Sequence, residues 1–470
     1  MEFIGRDSQL AWLNGRLQDV KRTSQGQMLS VRGRRQVGKS RLIEEFIGRS
    51  GHKSVTFSAT RQPAAKELDL FGSAIAASST VTAAIAAQGP LGSWDAALML
   101  LAGEATAGEP VIVVIDEFPY LIDSVPPIEA TLQAAWGKLE RQPLLLILVG
   151  SDLSMMEALN TYDRPLYGRL RELVVPPFSP SETADRLALA ADVALDAHVV
   201  IGGMPRLTAL WSEGDDIWSF LARELEDATS PLLVLGERSV NAELPADLKT
   251  RDVLAAIGAG ERAYTAIRQH AGTKESTLNL SLAALVAKRI VDKLVPYSAE
   301  LSEKSTRYIV ADSYLRFWLR FLAPGIALVE RGRGDVVLER IRQEWTLFRG
   351  RAIEPIIRGS IERILPDQRF GNARFVGGYW TRDNRVDVDL IGGSDEKRAD
   401  PVDFVGSFKW KEDASFDRHD VAALVNHRKE VPGASDQSLL VGVSRSGYAT
   451  NDLDVFLGPA DIVDAWLSQQ

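Results

Sequence analysis

A chain of 470 residues exceeds one ordinary hydrophobic core and is sized for about three domains. Its 45% hydrophobic and 25% charged residues are those of a soluble globular protein. The absence of cysteine excludes disulfides, thiolate zinc sites and thiol nucleophiles, five histidines make a structural zinc unexpected, and a net charge of -9 argues against a general nucleic-acid coat while leaving room for a local basic groove.

The opening segment Met1–Leu13 has no basic stretch followed by an apolar core, so no signal peptide is expected. Met28–Arg32 reads as a buried strand, Ser40–Ile47 as a helix and Ser54–Ser58 as a second strand. Val111–Ile115 and Leu144–Val149 are continuous apolar runs, the pattern of central strands in a parallel sheet covered on both faces, and far short of a membrane span. Val174–Phe178 reads as the last strand. Strands alternating with helices predict an α/β doubly wound layer. Ser179-Pro-Ser-Glu182 then opens a helix with a capping signal. From there to about residue 300 the pattern is helical, and Leu248–Pro296 reads as three helices and a short strand, Ile290–Tyr297, the order of a winged helix-turn-helix. Beyond residue 300, Phe348–Leu365 is predicted helical and Val386–Ile391, Phe404–Trp410 and Leu439–Val443 are predicted strands. Neither repeats nor low-complexity tracts interrupt the chain.

The chemistry concentrates first at Gly33-Arg-Arg-Gln36-Val37-Gly38-Lys39-Ser40, which fits G-x-x-x-x-G-K-[ST] and arises by chance in on the order of one in a hundred chains of this length. Here it follows a strand and opens a helix, the context that makes it a phosphate loop. The glycines let backbone N–H groups of the loop, Gln36 and Val37 included, close on phosphate oxygens, and the helix N-terminus favours negative charge. Lys39 is expected to reach the β- and γ-phosphates of ATP and Ser40 to hold Mg²⁺. A second strand ends in Asp116-Glu117: Asp116 as a Mg²⁺ holder, Glu117 as the group that orients or deprotonates the attacking water. Ser151, at the end of the next apolar run, reads equally as a γ-phosphate sensor and as a strand-end cap. Among Arg164, Arg169 and Arg171, Arg169 is the preferred arginine finger, in cis or in trans, and a solvated basic stretch is the alternative.

Phe3-Ile-Gly5-Arg6-Asp7, the Gly33–Ser40 loop, Ile115-Asp-Glu-Phe-Pro119-Tyr, Leu148-Val-Gly-Ser151, Tyr167-Gly-Arg169 and Gly202-Gly-Met-Pro-Arg206 together resemble the archaeal-type ATPase family, within the AAA+/STAND class. The resemblance covers about half the chain. It implies a P-loop AAA+-like core, a helical lid and a winged helix, with Gly5 and Arg6 beside the nucleotide and Arg206 as a second sensor or, equally, part of a helix-breaking turn.

In the last third, Asp387 and Asp389 share one strand face, Ser407 and Lys409 follow on another strand, and Glu354 sits on an upstream helix. This order suggests the PD-(D/E)xK nuclease layout, in which carboxylates hold Mg²⁺ and a lysine steadies hydroxide or phosphate. Together with Tyr308–Trp318 and Phe348-Arg-Gly350-x-x-x-Glu354, it resembles the domain of unknown function that commonly follows archaeal-type ATPases. The departure is Ser407 where the second strand carboxylate belongs; Glu412 is the nearest replacement, and a vestigial site of Glu354, Asp389 and Lys409 is expected.

The expected divisions are an ATPase core at 1–180, a lid at 181–245, a winged helix at 246–300 and a nuclease-like, restriction-endonuclease-fold α/β domain at 301–470. The expected function is an ATP-dependent switch in the cytoplasm with ATP and Mg²⁺ as cofactors, no membrane contact and a protein partner. The rivals are an ATP-regulated DNA-processing nuclease, in defence against foreign DNA, and a non-enzymatic DNA-binding regulator that meets DNA through the winged helix or the C-terminal domain. Against DNA contact, Lys274, Lys288, Arg289 and Lys293 are offset by Glu275 and Asp292.

Overall fold

The first sheet is built from five strands, of which the three central ones expose no side chain. In the computed structural model, which describes residues 3, 5–80, 82–244, 248–298 and 305–467, these strands are β1 (Gln27–Arg32), β2 (Ser54–Ser58), β3 (Val111–Asp116), β4 (Leu144–Gly150) and β5 (Leu170–Val174). All pairings are parallel and the order is β2-β3-β4-β1-β5. All seven residues of β4 are buried, which identifies it as an interior strand covered on both faces. Helices Ala64–Ala76, Trp94–Ala102 and Ile128–Leu139 bring Phe71, Trp94, Leu98, Leu132 and Trp136 onto Phe57, Val113 and Leu146. The helix Lys39–Ser50 buries Lys39, Leu42, Ile43 and Phe46, the helical spacing of one face. The chain divides into two compact units, Met1–Pro177 and Phe178–Gln470, and this sheet belongs to the first.

The last strand of this sheet is β5, Leu170–Val174, rather than Val174–Phe178. The reason is local. Val175 N–H donates the last bond to Arg32 O at 2.7 Å, and Pro176 and Pro177 have no N–H with which to continue.

The second unit begins with Pro180–Leu187, capped by Ser179 and Glu182 in a reciprocal box. Four further helices follow, Ala191–Ile201, Pro205–Thr208, Ile217–Glu224 and Pro231–Glu243. Then come Leu248–Gly258, Tyr264–His270 and Glu275–Ala287, and the antiparallel pair β6 (Val291–Leu294) and β7 (Arg307–Val310). The divisions placed between 245 and 246 and between 300 and 301 lie outside the described residues. The predicted helix Phe348–Leu365 is in fact two, Gly334–Ala352 and Glu354–Ile364. Pro355 accounts for the break, because it has no N–H to give the Arg351 carbonyl. That carbonyl accepts from Arg262 Nη2 at 3.5 Å instead, and the next, Ala352 O, from Arg316 Nη1 at 3.1 Å.

A second sheet closes the unit: β8 (Phe375–Trp380), β9 (Asp387–Gly393), β10 (Val402–Lys409), β11 (Leu439–Ser444) and β12 (Val455–Leu457), in the order β12-β11-β10-β9-β8. β8 and β12 were not foreseen. The pairs β8–β9 and β9–β10 are antiparallel, β10–β11 and β11–β12 parallel. Helix Arg418–Arg428 covers one face through Val421 and Leu424. A buried polar node joins this sheet to the helices: Arg349 reaches Asp196 at 2.9 Å and Glu412 at 2.5 Å, while Trp410 Nε1 and Arg445 Nη2 donate to Asp196 at 3.1 and 3.2 Å.

Gly33 is the position in the first unit where shape is least negotiable. A Cβ there would lie 2.3 Å from the Val175 carbonyl oxygen, which belongs to backbone and cannot swing away. Gly33→Ala is therefore expected to lower the stability of the Met1–Pro177 unit by about 1–3 kcal/mol, read as an earlier melting transition by calorimetry; an unchanged transition would show that the loop and the Val175 segment separate freely.

Candidate functional site

The parallel register aligns the C-terminal ends of β1, β3 and β4. Arg32 pairs with Gly150, and Ile115 with Leu148. The segments that leave these ends therefore converge on one edge of the sheet, where open α/β sheets receive ligands. Gly33–Gly38 leaves β1 and turns into the helix through two positive-φ residues, Gln36 (65°) and Gly38 (88°). Lys39 folds back over the loop and donates to Gly33 O at 2.8 Å and Arg34 O at 2.9 Å. Burial lowers its pKa to about 8, against the pull of Glu117 and Asp116 and with the help of Arg35.

Ser40 Oγ donates to Asp116 Oδ2 at 2.8 Å, and Asp116 Oδ1 accepts the Glu117 N–H at 2.8 Å. Glu117 adopts a left-handed backbone (φ 51°), strained for a non-glycine residue and directed by that hydrogen bond. Ser151 Oγ donates to Glu117 Oε2 at 3.0 Å. Ser40, Asp116, Glu117 and Ser151 thus form one continuous chain of polar contacts. The oxygens of Ser40 and Asp116 are hard donors of the kind a Mg²⁺ ion takes. Arg6, itself left-handed (φ 67°) and buried, donates to Val37 O at 2.9 Å and so braces the loop from the N-terminal segment, beside Gly5 (φ 74°).

Two features of this edge were not read from the sequence. Arg35 Nη2 donates to the Tyr120 hydroxyl at 2.6 Å, and Arg61 lies 4.2 Å over the Tyr120 ring while bonding Asp123 at 2.8 Å. The available signal was positional, since Arg35 and Tyr120 lie inside the two motifs; Arg61 carried none.

Arg169 lies elsewhere. Leu170 pairs with Met28, so Arg169 is level with the start of β1 and Gly33 with its end. At about 3.3 Å per residue the separation along the strand is about 20 Å, well beyond one side chain. Arg169 is exposed and, among the described residues, donates only to Pro165 O and Tyr167 O, at 3.3 and 3.4 Å. Arg164 is held by Glu129, at 3.1 Å from Nε, and Arg171 is an exposed residue of β5. In the second unit Arg206 is exposed on Pro205–Thr208. The turn before it has a packing reason of its own, since a Cβ on Gly203 would lie 2.1 Å from Phe178 O.

Residues 3–188 match the family described as an ATPase domain predominantly from Archaea. The chain carries an archaeal-type ATPase domain. Residues 318–421, outside the ATPase domain, match a family of archaeal and bacterial proteins of unknown function. An uncharacterized protein of Methanocaldococcus jannaschii is 23% identical over 418 residues, 87% of this chain and 88% of that protein. Among solved structures, a Walker-type ATPase of Pyrococcus abyssi shares the fold at 18% identity and a TM-score of 0.50, over 68% of this chain and 96% of the other. The ORC2 protein of Aeropyrum pernix, at 13% identity over 70% of this chain and 96% of its own, has a TM-score of 0.45. No helix among the described residues is long and apolar enough to cross a membrane.

The three residues of the vestigial nuclease pattern are engaged by other side chains. Glu354 is gripped by Arg358 at 2.7 Å and Arg262 at 3.2 Å; burial works to raise its pKa, and these guanidiniums hold it below the usual carboxylate range. Asp389 Oδ2 accepts from Ser407 Oγ at 2.7 Å and Phe408 N at 3.1 Å. Burial pushes its pKa up to about 6, resisted by Ser407 and aided by the negative charge of Glu354. Lys409 turns to Asp420 at 2.6 Å. Glu412, the replacement carboxylate suggested by proximity in sequence, is bound to Arg349. Asp387 pairs with Arg307 at 2.9 Å. Among the described residues no group of three or more His, Asp or Glu side chains could hold a metal ion.

A carboxylate whose folded pKa is raised binds more protons folded than unfolded, so it costs stability above its folded pKa and nothing below its unfolded one. Asp389→Asn, which keeps an acceptor oxygen for Ser407 and Phe408, is expected to stabilise the second unit by about 1–3 kcal/mol at pH 7.5. The gain should shrink as the pH falls from about 6 towards 3.8. Thermal melts at pH 7.5 and 4 measure it; destabilisation at pH 7.5 would show that the carboxylate is needed charged.

Proposed function

We propose that the ATPase domain binds ATP with Mg²⁺ on the Gly33–Ser40 loop and hydrolyses it, and that the chain works as a nucleotide-driven switch without nuclease activity. The observation that carries the reading is the continuous polar chain Ser40–Asp116–Glu117–Ser151 at the sheet edge beside the phosphate loop. Backbone N–H groups of residues 34–38 would receive the phosphates, and Lys39 would exchange its two carbonyl partners for phosphate oxygens. That exchange favours the ammonium form of a lysine whose burial alone disfavours it. Ser40 and Asp116 would hold Mg²⁺, whose charge offsets that of the β- and γ-phosphates. Glu117 would accept the proton of the attacking water, and Ser151, already bonded to it, would fix its carboxylate and sense the γ-phosphate. Gly5 and Arg6 would border the nucleotide through the contact of Arg6 with Val37.

Arg169 would act in trans. Its place at the start of β5 puts it out of reach of its own loop, and its side chain is exposed for a second copy. Arg206 would serve as a second sensor in the helical segment 181–245, the proposed lid.

Residues 246–300, with β7 completing the wing, would form a winged helix used as an internal module. Its helix Glu275–Ala287 exposes Glu275, Ser276, Asn279, Leu280 and Ala283 and has no cation of its own, and the exposed Lys274 at its N-cap is offset by Glu275 beside it. Residues 301–470 would be a nuclease relative that keeps the fold, since the charge of Glu354 is already matched by arginines and Ser407 supplies no negative ligand. The switch would couple nucleotide state to a protein partner, in the cytoplasm.

ATP turnover is expected to disappear in Lys39→Ala and in Arg169→Ala taken singly, and to reappear when the two inactive proteins are mixed, because each supplies what the other lacks. Turnover by Lys39→Ala alone would overturn the site; loss in Arg169→Ala with no recovery on mixing would overturn its action in trans. A plasmid incubated with Mg²⁺ or Mn²⁺ should be cut no faster by the wild type than by Asp389→Ala, and faster cutting by the wild type would restore the nuclease.

A further inference from the structure

Outside the phosphate loop, one cavity in the second unit gathers positive charge. It has a volume of about 80 Å³ and lies between the Gly258–Gly260 turn, β7 and helix Gly334–Ala352. Arg262, Arg316, Arg320 and Arg351 line it, with Glu344 as the carboxylate of the lining and Glu354 reaching Arg262 from outside. Leu347 and Phe348 supply an apolar wall. Within the lining four guanidiniums face one carboxylate, an excess of positive charge that Glu354, Asp312 and Asp292 oppose from outside it.

The hydrogen bonds of these arginines do not remove that excess. Arg316 gives its N–H groups to neutral acceptors, Val310 O at 2.7 and 3.1 Å and Ala352 O at 3.1 Å. Arg320 is shared between Ala259 O and Glu344, and Glu344 also pairs with Arg340 at 3.4 Å. The Arg351 side chain has neither hydrogen bond nor ion pair among the described residues. Burial depresses the pKa of both Arg316, to about 10, and Arg351, and Arg262 depresses both further, while Glu354 pulls both the other way and Asp312 and Asp292 do so at Arg316. Arginines packed this way without an anion repel one another; a bound anion converts the same arrangement into charge-assisted donors around an acceptor.

We propose that this cavity is an anion-binding site for the phosphoryl group of a small molecule, with Arg351 as its free donor and the Leu347–Phe348 wall against the ligand's apolar part. Arg262 connects the site to Glu354, so an anion that draws on Arg262 loosens the grip on Glu354. The site joins the segment following the Leu248–Gly258 helix to the break at Ile353. Occupancy would therefore be felt by both the three-helix segment and the C-terminal sheet domain.

The test uses the full chain carrying Lys39→Ala, so that the phosphate loop does not dominate, with inorganic phosphate as the probe in calorimetric titration. Saturable phosphate binding is expected. Adding Arg351→Gln should weaken it about tenfold or more, as loss of a charge-assisted bond implies, and Arg351→Lys should recover part of the loss. Because the Arg351 side chain makes no hydrogen bond or ion pair among the described residues, its Gln variant should melt no lower than the parent without phosphate, which separates a lost site from a lost fold. Absence of binding, or equal affinity in parent and Arg351→Gln, overturns the site. A short DNA duplex forms the second arm: duplex binding that depends on Arg351, with no binding of free phosphate, overturns the small-molecule assignment in favour of a nucleic-acid contact.

Discussion

The hydrogen bond from Ser40 Oγ to Asp116 Oδ2 ties the first turn of one helix to the end of a strand two positions away in the sheet. It requires β4 to lie between β1 and β3, and it requires all three strands to run the same way, so that their C-terminal ends meet. The buried Val, Ile and Leu runs provide that arrangement by offering both faces to helices. Around this one bond the other polar contacts fall into sequence: Asp116 sets the backbone of Glu117, Glu117 takes Ser151, and Lys39 closes the loop from within.

The two units treat charge differently. In the first, donors and acceptors gather at the sheet edge beside the Gly33–Ser40 loop, and Lys39 is bonded to two carbonyls of that loop. In the second, the charged side chains that the sequence pattern would assign to a metal site are paired with opposite charges, except Asp389, which meets Ser407 and the Phe408 N–H. Glu354 has two arginines, Lys409 has Asp420, and Glu412 has Arg349. A metal at Glu354 or Glu412 would have to displace guanidiniums already in contact. The buried node at Asp196 fixes the ends of β10 and β11 against helices through Arg349, Trp410 and Arg445.

The first unit was legible because its signals are local. A glycine loop between an apolar run and a helix, and an apolar run ending in two acids, each declare their structure within a few residues. The last strand was misread by four residues because Val174-Val175 looks like strand sequence and only the pairing of Leu170 with Met28 sets its start. The second unit was less legible because its decisive partners are distant in sequence: Arg262 and Glu354, Arg349 and Asp196, Asp389 and Ser407. Pro355 gave a clear sign that one predicted helix is two, but not which arginines would take the carbonyls it leaves. The edge strands β8 and β12 are short or glycine-bearing and lack a continuous apolar run.

The place of Arg169, level with the first residue of β1 while the loop leaves from the last, has a consequence for kinetics. On the reading in which it serves a neighbouring copy, one chain alone cannot complete its own turnover, and the rate becomes second order in protein at low occupancy of the assembled state. Nucleotide consumption would then report local crowding of the chain, remaining slow in dispersed molecules and rising steeply wherever something gathers them.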